Sequence, residues 1–412
     1  MPDSRHSIRI LIAVVVVAAT GCQTLQIGEV RFVPGEEVLT DGGDAARRRL
    51  FDERLAPPLE EAWRYNAAAG FGPGSPLLYS NAVIVGNRNG ELHAIDLESG
   101  KKLGFRAMGE SLEGPILIDG TRLYVASAWG KYGLTAFDLA DGSRIWRFRG
   151  GPFQTGPVRV GERIVAVDVD GMVRALDQAS GEELWAVSLG EGASGQSTPL
   201  ALGDERLFVV SDVGLAMMIE AESGRRIWTR ELGYPVYASP AVAGDVIIVP
   251  TTRGCLLAVS PRDGATLWTF DAGDPLVRFT PPAIDGEELY VGASNGSIYR
   301  LDARSGNVLW RFEAPDAVVA PPLLTGTHVY AGTMGRMLYV FERETNELVW
   351  EDELRGRIKS AMSARDGYLI VLTEPRYVYA LKMMESDDDA ASALRDARIV
   401  TGRTRTGNAN RP

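Results

Sequence analysis

The sequence has few of the side chains that hold metal ions or carry out covalent chemistry. Its 412 residues include two cysteines and three histidines. The cysteines, Cys22 and Cys255, are not adjacent, and the histidines, His6, His93 and His328, lie far apart in the chain. This scarcity argues against a clustered zinc site, a disulfide framework and a nucleophile–histidine pair.

Positive charge is also in short supply. The chain carries 43 Lys and Arg against 54 Asp and Glu, a formal net charge of -11. No basic stripe is visible in the body of the sequence, so the composition argues against a nucleic-acid surface. An anionic lipid surface would repel such a chain, and any membrane attachment must come from another source.

The sequence contains one long hydrophobic run, and this run is too short to cross a bilayer. Ile10 to Ala19 is apolar throughout, whereas a spanning helix needs about 20 residues. Arg5 and Arg9 precede the run and small residues end it, a pattern typical of an export signal. We therefore predict that residues 1–21 form a signal peptide.

The end of this signal resembles the lipobox of bacterial lipoproteins. The four residues are Ala19-Thr20-Gly21-Cys22. The resemblance implies that the Cys22 thiol receives a lipid after cleavage and that Gln23 directs the protein to the periplasmic face of the outer membrane. Residues 22–58 are then expected to form a lipid-anchored polar tether.

A repeat of about 40 residues dominates the remaining sequence. Its clearest marker is a turn residue followed four positions later by Trp. The pairs are Gly142/Trp146, Gly181/Trp185, Gly224/Trp228, Gly264/Trp268, Gly306/Trp310 and Asn346/Trp350. This repeat length is typical of a propeller blade with four short strands.

Short apolar strands and tight turns support this interpretation. Asn89-Gly90, Asp170-Gly171 and Asn295-Gly296 are strong hairpin signals between the second and third strands of a repeat. Eight inner strands are expected to begin near Pro76, Pro115, Pro157, Pro199, Pro240, Pro281, Pro321 and Ala361. The sequence therefore predicts an all-β protein, an eight-bladed β-propeller of four-stranded antiparallel blades.

The last repeat lacks a Trp strand of its own. A matching strand, Glu61 to Tyr65 with Trp63 at its centre, precedes the first repeat. We predict that it pairs with Tyr377 to Leu381 and closes the ring, which removes both exposed edges. The propeller is thus placed at residues 59–383, and the polar tail 384–412 is expected to be disordered.

The repeat resembles the pyrroloquinoline-quinone-type propeller family, whose motif is Ala-x-Asp-x-x-x-Gly-x-x-x-Trp. Ala136, Asp138, Gly142 and Trp146 form one full copy. The resemblance implies that each Trp packs between adjacent blades and stacks on the turn. The implied docking residues are Trp63, Trp146, Trp185, Trp228, Trp268, Trp310 and Trp350.

Within that family, size, lipid cysteine and blade number are most similar to a lipoprotein of the outer-membrane β-barrel assembly machine. This implies a monomeric, non-enzymatic scaffold that binds an envelope protein and no nucleic acid. Such members contact the barrel-forming subunit through a Leu-x-Leu-Arg run and paired Asp residues. The matching stretches, 191–194 and 235–237, do not keep that pattern. A propeller lipoprotein with a different envelope partner or ligand is therefore the alternative.

An enzymatic alternative is a quinoprotein dehydrogenase. That family holds calcium and a quinone beside two adjacent cysteines, which this chain lacks. Val167 to Gly171 superficially resembles a calcium loop, but it has no distal Glu and falls at a hairpin turn. We therefore expect no cofactor, no metal and no catalytic residues.

Binding residues are expected in the loops between blades and in the turns between second and third strands. Exposed aromatic residues and Arg are favoured at interface centres. The candidates are Trp129, Tyr132, Phe153, Tyr234, Tyr237, Arg278, Phe279 and Arg357. The alternative is that several of them plug the central channel or pack against neighbouring loops.

Overall fold

The computed structural model describes residues 38–51, 55–108, 111–112, 114–195 and 199–384. These residues form eight antiparallel sheets, which are the blades of a propeller. The predicted all-β, eight-bladed fold is confirmed. Within the described ranges, no helix is long and apolar enough to cross a membrane. The apolar core lies mainly between neighbouring blades, where residues from adjacent sheets form shared clusters.

Each blade is a meander of short strands that follow one another from the channel outwards. Blade 1 contains Leu77–Tyr79, Ala82–Gly86, Glu91–Asp96 and Lys102–Ala107; blade 2 contains Leu117–Asp119, Arg122–Ala126, Leu134–Asp138 and Arg144–Phe148. Blade 3 contains Val158–Val160, Arg163–Val167, Met172–Asp177 and Glu183–Ser188; blade 4 contains Leu200–Leu202, Arg206–Val210, Leu215–Glu220 and Arg226–Glu231. Blade 5 contains Ala241–Ala243, Val246–Pro250, Cys255–Val259 and Thr266–Asp271; blade 6 contains Ala283–Asp285, Glu288–Gly292, Ser297–Asp302 and Val308–Glu313. Blade 7 contains Leu323–Leu324, His328–Gly332, Met337–Glu342 and Leu348–Glu353.

Blade 8 is assembled from both ends of the described chain. Its inner strands are Arg357–Ile358 and Ser363–Arg365, followed by Tyr368–Glu374, Tyr377–Met383 and, outermost, Leu59–Asn66. Trp63 lies opposite Ala380 in the last strand pair. The predicted closure of the ring is confirmed, because the early strand completes the last sheet.

Tryptophans on the outermost strands join neighbouring blades. In five of them the indole N–H donates a hydrogen bond of 2.7–3.1 Å to a backbone carbonyl of the next blade. The pairs are Trp63 to Leu97, Trp146 to Gln178, Trp185 to Ala221, Trp228 to Pro261 and Trp268 to Ala303. The same rings lie against the turn glycine of that blade, as Trp146 does against Gly181.

Three of the eight blade interfaces lack this indole hydrogen bond within the described chain. Between blades 1 and 2, Gly104 stands at the Trp position, and the Arg106 guanidinium donates to the Gly142 carbonyl. Between blades 6 and 7, Arg300 donates to the Arg343 carbonyl at 3.1 Å, while the Trp310 ring packs against a phenylalanine at 5.0 Å. At these two interfaces arginine supplies the donor. Between blades 7 and 8, Trp350 packs against the apolar cluster that the two blades share.

The turns that receive the tryptophans are fixed by local hydrogen bonds. Asp177 Oδ1 accepts the Ser180 amide at 2.7 Å and the Ser180 hydroxyl at 2.8 Å. These bonds hold the pKa of Asp177 below its ordinary value, because they favour the ionised carboxylate. Asp302 and Ser305 repeat the arrangement three blades later. Each turn therefore presents its glycine in a defined position to the preceding blade.

The glycine–tryptophan contact can be tested with two matched alanine substitutions. Gly181 has a φ of +72°, and an added Cβ would lie 2.5 Å from the Trp146 ring; Gly203 has a φ of +65° and open space around it. Gly203→Ala should cost about 1–2 kcal/mol from the backbone conformation alone. Gly181→Ala should cost about 1–3 kcal/mol more from overpacking. Denaturant unfolding measures both, and equal losses would contradict the contact's importance.

Candidate protein-binding face

The strand directions place two kinds of connection at one end of the ring. The loops between blades and the turns between second and third strands lie together, because strands alternate in direction. Residues 232–240 and 251–254 are one loop and one turn of this kind. We call this end the loop face and the other end the opposite face.

The loop face exposes a group of large apolar side chains. They are exposed by 36% to 83%, and they come from blades 2 and 4 and from three interblade loops. The group consists of Trp129, Val213, Tyr237, Leu276 and Val319. The other large apolar side chains with comparable exposure in the described chain lie on outermost strands. Exposed apolar groups gathered at one end of a rigid ring mark a candidate contact surface.

The predicted binding residues fall into three groups. Trp129, Tyr237, Arg278 and Arg357 are exposed on the loop face. Tyr132 is half-buried, with the Arg147 guanidinium 3.8 Å from its ring centroid, and Tyr234 is half-buried as well. The remaining two, Phe153 and Phe279, are buried.

The expectation that Phe153 and Phe279 are exposed is wrong. Phe153 belongs to the apolar cluster between blades 2 and 3, and its amide donates to the Ser127 carbonyl at 2.9 Å. Phe279 packs against Phe270 and Tyr299 with ring centroids 5.9 and 6.0 Å away. Both rings fill gaps between blades beneath their loops, in agreement with the packing alternative, and they cannot anchor a partner.

The central channel opens on the loop face as a small pocket. The pocket has a volume of about 140 Å³ and is bordered by four prolines, Pro73, Pro115, Pro281 and Pro321. Tyr237 lines the same mouth, whereas Trp129, Arg278 and Arg357 do not. The mouth is apolar at its rim and reaches an ion pair, Asp41 with Arg49, at depth.

The channel below the mouth is filled by the chain's own N-terminal segment. Residues 38–51, expected from the sequence to belong to a polar tether, instead pack along inner strands, and we call them the plug. The plug pairs with blade 2 through Val38 and Leu39, and its carbonyls accept the amides of Val242, Ile284 and Leu324 in blades 5, 6 and 7. Sequence reasoning missed this role because arginine-rich stretches usually lie in solvent.

Buried charges hold the plug in place. Arg49 donates to both Asp41 oxygens, the shorter bond being 2.6 Å, and Asp41 also accepts the Ser75 amide at 3.0 Å. Burial raises the pKa of Asp41, but the charges of Arg49 and Arg47 and these hydrogen bonds outweigh it, so the pKa lies below its ordinary value. Arg47 donates to the Pro199 carbonyl at 2.6 Å, and burial lowers its pKa to about 10. Asp41 and Arg47 are therefore charged at neutral pH.

Asp168 and His93, which were weighed from the sequence as calcium or metal ligands, form hydrogen bonds within the fold. Asp168 accepts the amides of Asp170 and Met172 and the Arg174 side chain, so its oxygens hold the hairpin turn. His93 is buried, with its Nδ1 3.0 Å from the Tyr65 hydroxyl, and burial lowers its pKa. Across the described residues, no cluster of His, Cys, Asp and Glu is arranged to hold a metal ion.

The blade geometry and the tryptophan contacts define an eight-bladed propeller of the pyrroloquinoline-quinone-type repeat class. A family model described as outer membrane protein assembly factor BamB matches residues 55–168, 169–313 and 294–391. The chain belongs to this family.

Individual relatives are distant. A BamB protein of Shewanella oneidensis is 34% identical over 127 residues, which are 28% of this chain and 32% of that protein. The chain spans less than two thirds of the length of the curated relatives it matches first. The structure of BamB from Moraxella catarrhalis has a TM-score of 0.65 at 14% identity and covers 79% of this chain and all of that one. A europium-containing methanol dehydrogenase has a TM-score of 0.72 at 11% identity, covering 84% and 98%. These two likenesses show the fold alone.

Replacing one partner of the buried ion pair should destabilise the plug. Asp41→Asn should lower the free energy of unfolding by about 3–5 kcal/mol at neutral pH, because it leaves buried guanidinium charge uncompensated. The folded-state pKa of Asp41 is depressed, so its contribution is present above the unfolded value of about 4 and is lost as pH falls below it. The difference between wild type and variant in denaturant unfolding should therefore shrink at acidic pH.

A matched control is the exposed pair of Arg304 and Glu287, 2.7 Å apart. Glu287→Gln should cost less than about 1 kcal/mol, because water screens an exposed pair. Equal losses for the two variants, or a difference between wild type and Asp41→Asn that is independent of pH, would show that Asp41 does not secure the plug.

Proposed function

We propose that the protein is a non-enzymatic scaffold of the outer-membrane protein assembly machinery, where it binds a protein partner through its loop face. The exposed apolar group on that face, with Tyr237 beside the channel mouth, is the observation that carries the proposal. Interface centres favour aromatic anchors of this kind. The related proteins are named outer membrane protein assembly factors, which supports the same conclusion.

The channel mouth on the loop face is small for a quinone cofactor. Pockets for cofactors and drug-sized ligands usually enclose about 300–1,000 Å³. The mouth encloses about 140 Å³, and the plug fills the channel beneath it. A small side chain from a partner fits this volume better than a multi-ring cofactor does.

A different envelope partner is the second candidate. In the loop that matches the family's contact run, residues 191–194 do not keep the run, and Asp212 accepts the Ser194 amide at 2.8 Å and its hydroxyl at 2.7 Å. Val236 in the next such loop is buried, although Tyr237 is exposed. The partner contact is therefore expected to shift toward Tyr237 and its apolar neighbours.

The loop-face proposal predicts separate effects on binding and stability. Tyr237→Ala and Trp129→Ala should each weaken capture of the assembly machine's barrel-forming subunit by about 1–2 kcal/mol without lowering the melting temperature, because both rings are exposed. Leu267→Ala is the matched control, since Leu267 is equally exposed but lies on an outermost strand. Purified components and titration of the subunit provide the measurement.

Buried aromatic residues provide the opposite case. Phe279→Ala should lower the melting temperature through a loss of about 3–5 kcal/mol and leave the affinity of the folded fraction unchanged. If the subunit binds wild type but all four variants bind equally well, the contact lies elsewhere. If wild type fails to bind it, the envelope partner is a different one.

We propose that the protein is held on the periplasmic face of the outer membrane by lipid on Cys22. The signal segment 1–21 and Cys22 lie outside the described residues, and the proposal rests on the sequence pattern. The acidic chain gains nothing from anionic lipid, so acyl chains must supply the attachment.

The anchor is tested by fractionating cells that express Cys22→Ser. The variant should leave the membrane fraction. Several acyl chains hold a protein on a membrane almost irreversibly, and a protein without acyl chains lacks that attachment. Cys255→Ser serves as the control because this buried cysteine lies in a strand of blade 5. A signal-cleaved Cys22→Ser protein that stays in the membrane fraction would contradict the anchor.

A further inference from the structure

Five positive side chains gather on the loop face across blades 8 and 1. We call them the basic patch, and they are Arg88, Arg355, Arg357, Lys359 and Arg376. Arg88 and Arg376 lie in the turns between the second and third strands of blades 1 and 8. The other three lie in the connection from blade 7 to blade 8, which includes the short strand Arg357–Ile358. A local excess of positive charge is unexpected in a chain whose net charge is -11.

Contacts around Glu374 join three members of the patch. Glu374 Oε1 lies 2.8 Å from Lys359 Nζ and 3.6 Å from Arg88 Nη1. Arg357 is paired with Glu374 in the sheet of blade 8. Within the described residues, Glu374 is the carboxylate found in ion-pair contact with the patch, and Asp352 and Glu353 precede Arg355 in the chain.

Three of the arginines keep their charge available. Arg355, Arg357 and Arg376 are exposed, and the structure records no ion pair for them within the described chain. A guanidinium presents a planar fork of donors that matches a carboxylate, and such pairs are stronger than neutral hydrogen bonds. Lys359 and Arg88 contact Glu374, so the positions of these two side chains at the edge of the patch are set in the unbound protein.

The patch reaches the rim of the channel mouth. The Ser360 hydroxyl, next to Lys359, donates to the Gly72 carbonyl at 2.6 Å, and the Ala361 amide donates to the Pro73 carbonyl at 3.1 Å. Pro73 lines the mouth. A segment that crosses the patch can therefore extend toward the apolar mouth without a break in the surface.

We propose that the basic patch binds an acidic, extended segment of a protein partner. Carboxylates along such a segment would pair with the three exposed arginines, and its path would lead toward the mouth. This assignment concerns the chemistry of the bound segment and is independent of which envelope complex supplies it. It also adds a charged contact surface, separate from the apolar group, to the same face.

A protein segment fits the position of the patch better than a membrane surface does. The described chain begins at Val38, which pairs with Asp119 at the opposite-face end of blade 2. Val38, the first described residue, therefore lies at the opposite face, and the patch lies at the other end of the ring. An anionic bilayer would also repel the acidic remainder of the protein.

The test compares two double charge reversals in the mature protein. Arg355→Glu with Arg357→Glu alters the patch, and Arg144→Glu with Arg262→Glu makes the same change of net charge at two exposed arginines on the opposite face. The probes are a short fluorescent Glu-rich peptide, the same peptide with Gln in place of Glu, and vesicles containing phosphatidylglycerol. Fluorescence anisotropy and vesicle co-sedimentation are measured at low and at high salt.

The patch variant should bind the Glu-rich peptide about tenfold more weakly at low salt, and the control variant should change by less than about threefold. High salt should weaken the wild-type interaction, and the Gln peptide should not bind. Equal losses in both variants would show an effect of net charge alone and overturn the proposal. The proposal is also overturned if the wild-type protein does not bind the Glu-rich peptide. The same holds if the patch substitutions weaken binding to vesicles and leave binding to the peptide unchanged. Should the reversal variant melt early, Arg355→Gln with Arg357→Gln repeats the comparison.

Discussion

The ring depends on a contact in which an outermost-strand tryptophan of one blade lies on a turn glycine of the next. The indole N–H satisfies a carbonyl of that turn, as between Trp185 and Ala221, and the ring covers the space where a Cβ would stand at Gly224. This contact fixes both the distance and the angle between neighbouring sheets. The shared apolar clusters can then pack at normal density, because interiors tolerate little misfit. Between blades 1 and 2, where the tryptophan is missing, Arg106 makes the hydrogen bond to the carbonyl.

The N-terminal region secures the ring twice. Leu59–Asn66 completes blade 8, and the plug bonds to inner strands on opposite sides of the channel. Blade 2, whose junction with blade 1 lacks the tryptophan, receives a plug strand of its own. The hydroxyl of Tyr330 in blade 7 donates to the Leu55 carbonyl at 2.7 Å, between the plug and the closing strand. Opening any part of the ring therefore requires the loss of bonds elsewhere in it, which favours cooperative unfolding.

The repeat was readable from sequence because strand, turn and tryptophan signals recur in register. The inner strands begin within about two residues of the predicted positions, and the closing pair of strands was predicted correctly. The plug could not be predicted, because Asp41 and Arg49 look like solvent-exposed residues until the ring encloses them. The same limit applies to Phe153 and Phe279, since a loop aromatic that turns inward has the same sequence signal as one that faces solvent. Periodicity reports which face of a strand is buried and gives no such information for irregular loops.

The filled channel limits which surfaces of the propeller could bind a partner. An open channel would offer the backbone edges of the inner strands to any extended chain, whereas the plug already accepts the amides of Val242, Ile284 and Leu324. Under the proposed function, recognition is left to side chains on the loop face, which the ring holds without much freedom to rearrange. Rigid, pre-organised surfaces lose little entropy on binding, so a few exposed aromatic groups and exposed arginines are enough for a specific contact. Because apolar groups and positive charge lie on separate parts of this face, a partner bound there as proposed would have to match both in the correct orientation, so geometry as well as charge would distinguish partners.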